Sequence, residues 1–188
     1  MQLDKFEGSI EDFAEKSGQD TSLILMSAEN IVLLDVSSSM SANAESGKSK
    51  WDEATIQLKK IQKEYPGNVA LFCFDDETTF HENGVPRKPD GCTYLFQAIN
   101  FVADLLSEES QRLFVITDGE VFDKELALEV AGKLPCVINS IFIGDAYNQH
   151  IEAFLTDLCK SNGKNGKNVY SREVKGLGEA IKMLMPGK

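Results

Sequence analysis

The chain has 188 residues, which is the size of one domain with a full hydrophobic core. Its hydrophobic content of 42% and charged content of 26% are typical of a globular protein rather than of a disordered one. The formal net charge of -11 argues against a protein that binds a nucleic-acid backbone or an anionic membrane surface, since both need clustered Lys and Arg.

Residues 1–29 contain one helix signal and one ambiguous apolar run. Ser9 precedes an amphipathic segment that Gly18 ends, and this pattern predicts a short capped helix. The run at residues 23–26 (LILM) fits either an added edge strand or a helix that leads into the first core strand. We expect residues 1–29 to form a docking arm that covers the core of one domain, residues 30–188.

A run of apolar residues at 31–34 predicts a strand buried on both faces, as in a parallel sheet covered by helices. Asp35, Ser37 and Ser39 follow it at alternate positions. If the chain leaves the sheet in a tight turn, their side chains converge beyond the carboxyl end of the strand, where open α/β sheets usually bind ligands. A carboxylate and two hydroxyls suit a hard cation such as Mg²⁺ or Mn²⁺, and not zinc, copper or iron.

Helices and strands alternate through the rest of the chain. Apolar residues at spacings of three and four predict helices at residues 49–65, 94–106, 123–134, 149–160 and 177–185. Short apolar runs predict strands at residues 69–74, 112–117, 137–143 and 168–174, with a hairpin into an antiparallel edge strand at 78–81. The alternation predicts a doubly wound α/β fold, with a largely parallel sheet and helices on both faces. The acidic turn at residues 75–77 fits either a solvated turn or a second cation site.

Three separate segments together resemble a known family. Asp35, Ser37 and Ser39 form an Asp-x-Ser-x-Ser sequence, which resembles the metal-ion-dependent adhesion site (MIDAS) of von Willebrand factor A (VWA) domains. That site also uses a threonine from a later loop and an aspartate after the fourth strand. Thr93 and Asp118 match these two positions, in order and in spacing. The resemblance runs from about residue 30 to the end of the chain.

The resemblance implies a Rossmann-like VWA fold with six strands in the order 3-2-1-4-5-6. It also implies an Mg²⁺ or Mn²⁺ ion held by five residues: Asp35, Ser37, Ser39, Thr93 and Asp118. Two carboxylates balance a divalent cation, and the ion's open position accepts a carboxylate from a partner protein in the family. One departure is Gly91-Cys92 where the family often has two glycines, so the backbone freedom of that loop is in question.

Two further features near this site carry alternatives. Glu120 fits either the cap of the next helix or a group that points toward the site. The resemblance to switching members of the family implies movement of the closing helix, with Gly176 and Gly178 absorbing the backbone change, and a static helix is the alternative.

The sequence therefore predicts a metal-dependent protein–protein interaction module and not an enzyme. The partner is expected to present an Asp or Glu, and the resemblance implies a multiprotein assembly, sometimes with an AAA+ ATPase. One rival is a metal-dependent hydrolase or phosphoryl-transfer enzyme with Asp35 as nucleophile. Phosphatases that form an aspartyl-phosphate use a second acid, two residues after the nucleophile, as the general acid. This chain has Ser37 at that position. Another rival is a scaffold or virion-type interaction domain whose metal is incidental.

Cysteine usage and hydropathy predict the compartment. The four cysteines form no Cys-x-x-Cys pair, and those at positions 73, 136 and 159 fall in predicted core elements, which predicts buried free thiols. No basic and apolar leader opens the sequence and no apolar run reaches the length of a membrane span. We expect a cytoplasmic protein, either of a cell or of a virus that replicates in one.

Overall fold

A single mixed sheet forms the centre of the computed structural model, which describes residues 5–44, 47–119, 121–144, 149–170 and 177–185. Its strands are β1 Asn30–Asp35, β2 Val69–Phe74, β3 Thr78–Phe80, β4 Arg112–Thr117, β5 Val137–Phe142 and β6 Asn168–Tyr170. They lie in the order β3-β2-β1-β4-β5-β6, and only the β2–β3 pair of these strands is antiparallel. The predicted strand order and the antiparallel edge strand are confirmed.

Helices cover both faces of this sheet, as predicted. They are α1 Ile10–Ser17, α2 Thr21–Ser27, α3 Lys50–Glu64, α4 Leu95–Val102, α5 Lys124–Ala131, α6 Gln149–Lys160 and α7 Leu177–Leu184, with short 3-10 turns at Ser38–Ser41 and Ala103–Leu105. Helix α5 ends three residues earlier than predicted, and the predicted α4 passes into the second 3-10 turn. Residues 171–174 of the predicted last strand lie outside the described part of the chain. Within the described ranges, none of the helices combines the length and the apolar character that a membrane span requires.

Alternate residues of β1 pack into two hydrophobic clusters, one on each face of the sheet. Ile31 and Leu33 belong to the cluster shared with α1, α2, α4, α5 and α6. Val32 and Leu34 belong to the cluster shared with α3 and α7. Because β1 pairs with β2 on one side and β4 on the other, its carboxyl end lies at the middle of the sheet edge. The residues that follow β1 are therefore fixed by strands on both sides.

The N-terminal segment folds as two helices against the first of these clusters. Ser9 caps α1 by accepting a hydrogen bond from the Asp12 amide at 3.2 Å, and Gly18 ends the helix at a φ of 69°. The ambiguous apolar run is helical, and Ile24 is its buried residue. Ile10 is buried among residues of the sheet cluster. The segment thus contributes to the core, and the division of the chain at residue 29 stays a prediction.

The closing helix α7 packs against α3 and β5. A Cβ atom at Gly178 would lie 2.4 Å from the Gln57 Oε1 atom of α3, so this glycine permits close packing of the two helices. Lys182 forms a 2.7 Å ion pair with Glu64 of α3. Gly176 lies outside the described residues, and the switching of α7 stays a prediction.

The cysteines agree with the predicted burial. Cys73, Cys136 and Cys159 are free and buried, while Cys92 is free and exposed. Burial raises the pKa of the Cys73 thiol to about 12, which makes it unreactive at neutral pH.

The packing of α1 leads to a prediction about stability. Ile10→Ala should lower the free energy of unfolding by roughly 2 to 5 kcal/mol, because Ile10 is 1% exposed and its removal leaves a cavity. Leu23→Ala is the matched control, since Leu23 lies in the same segment but is 62% exposed. Urea denaturation measures both variants. Equal midpoints for the two would contradict the assignment of α1 to the core.

Candidate metal centre

The turn after β1 is built on the carboxylate of Asp35, the last residue of that strand. Its Oδ1 atom accepts a 2.8 Å hydrogen bond from the Ser37 backbone amide, which is the local bond of an Asx-turn. The 3-10 turn Ser38–Ser41 follows at once, and the fully buried Met40 holds it against the core. This local geometry moves the chain away from the sheet edge just after Asp35, which is the condition under which the alternating side chains can converge.

Two serine hydroxyls of this turn are hydrogen-bonded in sequence to the carboxylate of Asp118. The Ser37 and Ser39 Oγ atoms lie 3.0 Å apart, and the Ser39 hydroxyl donates to Asp118 Oδ1 at 2.7 Å. Asp118 follows β4, the neighbour of β1 in the sheet. The structure therefore joins Asp35, Ser37, Ser39 and Asp118 in one chain of hydrogen bonds.

The loop that carries Thr93 is held against this turn by its backbone. The Asp90 amide donates to the Val36 carbonyl at 2.8 Å, and the Ser38 amide donates to the Gly91 carbonyl at 3.2 Å. Thr93 itself is 4% exposed. Its carbonyl accepts a 3.1 Å hydrogen bond from the Phe122 amide, which lies beyond β4. Thr93 therefore lies between the two segments that supply the carboxylates.

Gly91 is a position in this loop where glycine is required. Its φ is 70°, in the left-handed region, and a Cβ atom there would lie 2.4 Å from Asp76 Oδ2. The chain keeps glycine at this position and departs from the family pattern only at the next one, Cys92. The departure therefore leaves the left-handed residue of the loop intact.

Asp123 has a role that the sequence did not suggest. It was predicted to begin the helix at residues 123–134, and it does precede α5. Its carboxylate, however, accepts hydrogen bonds from the Leu95 and Phe96 amides, both at 2.9 Å, at the start of α4. Asp123 thus caps the helix that follows Thr93 and fixes the end of its loop.

Lys50 is the principal residue of the site that sequence reasoning missed. Its Nζ atom donates to Asp118 Oδ2 at 2.6 Å, and the Asp118 side chain is fully inaccessible. From the sequence, residue 50 was only part of a helix start. The chain returns to the motif through an antiparallel bridge between Asn43 and Ser49, and this return brings Lys50 to the site. No spacing in the sequence signals it.

The two aspartates are in different electrostatic environments. Asp35 is completely inaccessible to solvent, and burial raises its pKa to about 6. Hydrogen bonds from Thr117 and Ser37 oppose this shift, and the nearby charge of Asp118 adds to it. The Thr117 hydroxyl donates to Asp35 Oδ2 at 2.6 Å, so both oxygens of Asp35 accept hydrogen bonds. Asp118 instead has an ammonium partner.

The donor set fits a small hard cation. Each carboxylate oxygen has two lone pairs, so Asp35 and Asp118 keep acceptor capacity beyond the bonds described above. Ser39 lies between Ser37 and Asp118 in the hydrogen-bonded chain and is exposed, which gives the centre an opening to solvent. The described part of the chain holds no cluster of three His, Cys, Asp or Glu side chains suited to a metal. The set of two carboxylates and three hydroxyls that the sequence predicts has a different composition.

The acidic turn after β2, residues 75–77, is hydrogen-bonded to the loop that carries Thr93. The Arg87 guanidinium donates to the Asp75 carboxylate, and Asp76 Oδ2 accepts a 3.3 Å hydrogen bond from the Cys92 amide. Two of the three acidic side chains therefore hold the loop that carries Thr93. Glu120 lies outside the described residues, so neither of its predicted roles is tested.

Comparison with known proteins identifies the fold. No family model matches the chain, and no curated protein matches its sequence. Among solved structures, the VWA domain of SpRpn10 matches with a TM-score of 0.57 over 76% of this chain and 87% of that domain. At 13% sequence identity this likeness establishes the fold alone. The chain has the fold of a VWA domain.

The buried carboxylate of Asp35 leads to a prediction about pH. Its pKa of about 6 in the folded state lies above the ordinary value of 3.8, so the stability that it contributes is present at low pH and is lost as the pH rises through 6. In EDTA, the free energy of unfolding of the wild type, relative to that of Asp35→Asn, should rise by about 1 kcal/mol when the pH falls from 7 to 5. Urea denaturation of both proteins at the two pH values measures this. A difference that does not change with pH would contradict it.

Proposed function

We propose that this chain is a metal-dependent protein–protein interaction module. Mg²⁺ or Mn²⁺ is held by Asp35, Ser37, Ser39, Thr93 and Asp118, and a partner protein supplies an Asp or Glu carboxylate. The observation that supports this most directly is a set of hydrogen bonds of 2.7 to 3.0 Å across the carboxyl edge of a VWA-type sheet. They join the Asp35 carboxylate to the Ser37 amide, the Ser37 hydroxyl to the Ser39 hydroxyl, and the Ser39 hydroxyl to the Asp118 carboxylate.

The residues of the centre have separate roles in this proposal. Asp35 and Asp118 supply the negative charge, while the two serines and Thr93 supply neutral oxygens, so a divalent ion is balanced and not overneutralised. The Asx-turn and the capped loop hold these groups in place before the ion arrives. When bound, the ion supplies the positive charge that attracts an anionic oxygen of the partner.

The geometry argues against the enzymatic alternative. A nucleophile must reach its substrate, but Asp35 is completely inaccessible and both of its oxygens accept hydrogen bonds. The position where an aspartyl-phosphate phosphatase has its general acid is occupied by Ser37, whose hydroxyl contacts Ser39. In a binding module Asp35 has only to contact the ion, directly or through a water molecule, and no substrate has to reach it.

The surface beside the centre suits a partner that is partly apolar. Phe122 is 69% exposed, its ring centroid lies 5.8 Å from that of Tyr94, and its amide donates to Thr93. Exposed aromatic side chains next to a polar centre are common at protein interfaces. We infer that the partner presents an apolar side chain near its carboxylate. The surface of the partner around that carboxylate is basic, because the net charge of -11 on this chain would repel an acidic protein.

The wider setting follows from the same proposal. Free buried thiols fit a reducing compartment such as the cytoplasm. A multiprotein assembly, sometimes with an AAA+ ATPase, is the context that the resemblance to VWA domains implies. A scaffold with an incidental metal would bind its partner equally well without the ion.

Removal of one hydroxyl tests the metal. Ser39→Ala should weaken Mn²⁺ binding at least about 10-fold in calorimetry, because it deletes an oxygen of the centre and the bond that orients Asp118. Ser41→Ala is the matched control, since Ser41 is an exposed serine two positions further on in the same turn. Equal Mn²⁺ affinity in the wild type and Ser39→Ala would refute the metal centre.

Affinity capture from the native source tests the partner. The wild-type protein is the bait in Mg²⁺ and in EDTA, and the Ser37→Ala variant is the bait in Mg²⁺. A partner that binds through the ion is recovered only by the wild type in Mg²⁺. A partner recovered equally in all three would leave the fold and remove the metal from the mechanism.

With that partner identified, Phe122→Ala should weaken its binding about 10-fold while leaving Mn²⁺ affinity unchanged. Phe101→Ala is the control, because Phe101 is 55% exposed but lies six residues further along α4 than Leu95, about 9 Å down the helix. Surface plasmon resonance measures both variants. Equal losses in the two would show that the aromatic surface near Thr93 has no special role.

A further inference from the structure

The Asp118 carboxylate has both of its oxygens engaged within the protein. Ser39 donates to Oδ1 at 2.7 Å, and the Lys50 ammonium donates to Oδ2 at 2.6 Å. The carboxylate is fully inaccessible and the lysine side chain is only 15% exposed. Lysine side chains usually extend into water, so this one has exchanged most of its hydration for contacts that include the Asp118 carboxylate.

The backbone around Lys50 is fixed in a way that directs the side chain into the site. The Ser49 hydroxyl accepts from the Asp52 amide at 3.0 Å and caps α3, while the Lys50 amide donates to the Ala42 carbonyl at 3.0 Å. The Trp51 indole donates to the Arg87 carbonyl at 2.7 Å, which joins the start of α3 to the loop of Thr93. Lys50 therefore begins a helix whose position is set by the same segments that build the candidate metal centre.

A cation at this position is unfavourable unless it has an anionic partner. The first turn of a helix carries the positive end of the helix dipole, which repels an ammonium. Lys50 is the first residue of α3, so its pairing with Asp118 offsets that repulsion. The pair also places one positive charge beside the two carboxylates of the centre, which leaves a local charge of about minus one when both are ionised.

We propose that Lys50 is a tethered cation that occupies Asp118 in the metal-free protein and that a divalent ion must displace. This inference rests on the proposed function, since it assumes that Asp118 binds the ion. The ammonium and the ion compete for one carboxylate and repel each other at short distance. Lys50 therefore weakens metal binding and keeps Asp118 paired until an ion is present.

Displacement also changes the surface that a partner meets. The side chain of lysine is a flexible four-carbon stem, so the ammonium can leave Asp118 while the helix stays in place. In the metal-bound protein the freed ammonium lies at the same helix end and adds positive charge beside the ion. The metal-free centre is anionic, whereas the loaded centre attracts the partner's carboxylate.

Calorimetry with Mn²⁺ tests the competition. Lys50→Met keeps the length and the apolar stem but removes the charge, and it should bind Mn²⁺ at least about 10-fold more tightly than the wild type, a difference of about 1.4 kcal/mol. Lys50→Arg keeps the charge and should bind like the wild type. Lys60→Met removes the same charge from an exposed position of α3 and controls for net charge.

Two further measurements do not depend on that affinity. In EDTA, Lys50→Met should melt at a lower temperature than Lys60→Met, because its two carboxylates lack a counter-ion, and Mn²⁺ should raise its melting temperature more. In the wild type, NMR follows the Lys50 Cε methylene signals, which are assigned by their loss in Lys50→Arg. Mg²⁺ should move these signals toward the values of exposed lysines, and it should not do so in Ser39→Ala.

The outcomes separate this inference from the proposed function. Equal Mn²⁺ affinity in the wild type and Lys50→Met, or weaker binding in Lys50→Met, overturns the competition and leaves the metal centre standing. Binding in neither protein overturns both proposals. If Lys50→Met does not fold, unchanged Lys50 signals in wild-type protein saturated with Mg²⁺ overturn the inference instead.

Discussion

The buried carboxylate of Asp35 is the constraint on which the carboxyl edge of this sheet depends. It ends a strand whose side chains are all buried, and an unsatisfied carboxylate at that position would be strongly destabilising. The Ser37 amide and the Thr117 hydroxyl each satisfy one oxygen. The first bond shapes the turn that carries the serines, and the second joins the end of β1 to the end of β4. The positions of Ser39 and Asp118 follow from these two bonds.

The centre is electrostatically asymmetric. Two carboxylates without a metal repel each other, and on that ground alone the replacement of Asp118 by asparagine would cost no stability in EDTA. The Lys50 ammonium changes this expectation, because Asp118 forms a buried ion pair and its loss would leave Lys50 without a carboxylate. Among the described residues no such cation pairs with Asp35, and burial instead raises its pKa to about 6. The protein thus limits the repulsion of its two carboxylates in two different ways.

Most of the fold was predictable because its signals are local and periodic. The buried runs at β1, β2 and β4 were found within the observed bounds, and the stripe of apolar residues on α3 was found as well. The run in α2 was ambiguous because a short apolar segment fits a strand or a helix equally well, and its packing beside α1 decides the outcome. Helix ends were less accurate, as the early end of α5 shows, because the last turn depends on what the next segment packs against.

The sequence by itself determined the strands, their alternation with helices and the spacing that lets the Ser37 amide bond to the Asp35 carboxylate. Each of these depends on residues close together in the chain. The resemblance to VWA domains implied that Asp118 lies near Ser39, but only the tertiary structure decided which distant groups form hydrogen bonds there. Ser39 and Asp118 are separated by 79 positions and Lys50 and Asp118 by 68, and the Asp123 carboxylate caps a helix 28 positions earlier. Such contacts depend on the register of neighbouring strands and on the path of the loops between them. A residue pattern that extends over a few positions contains neither.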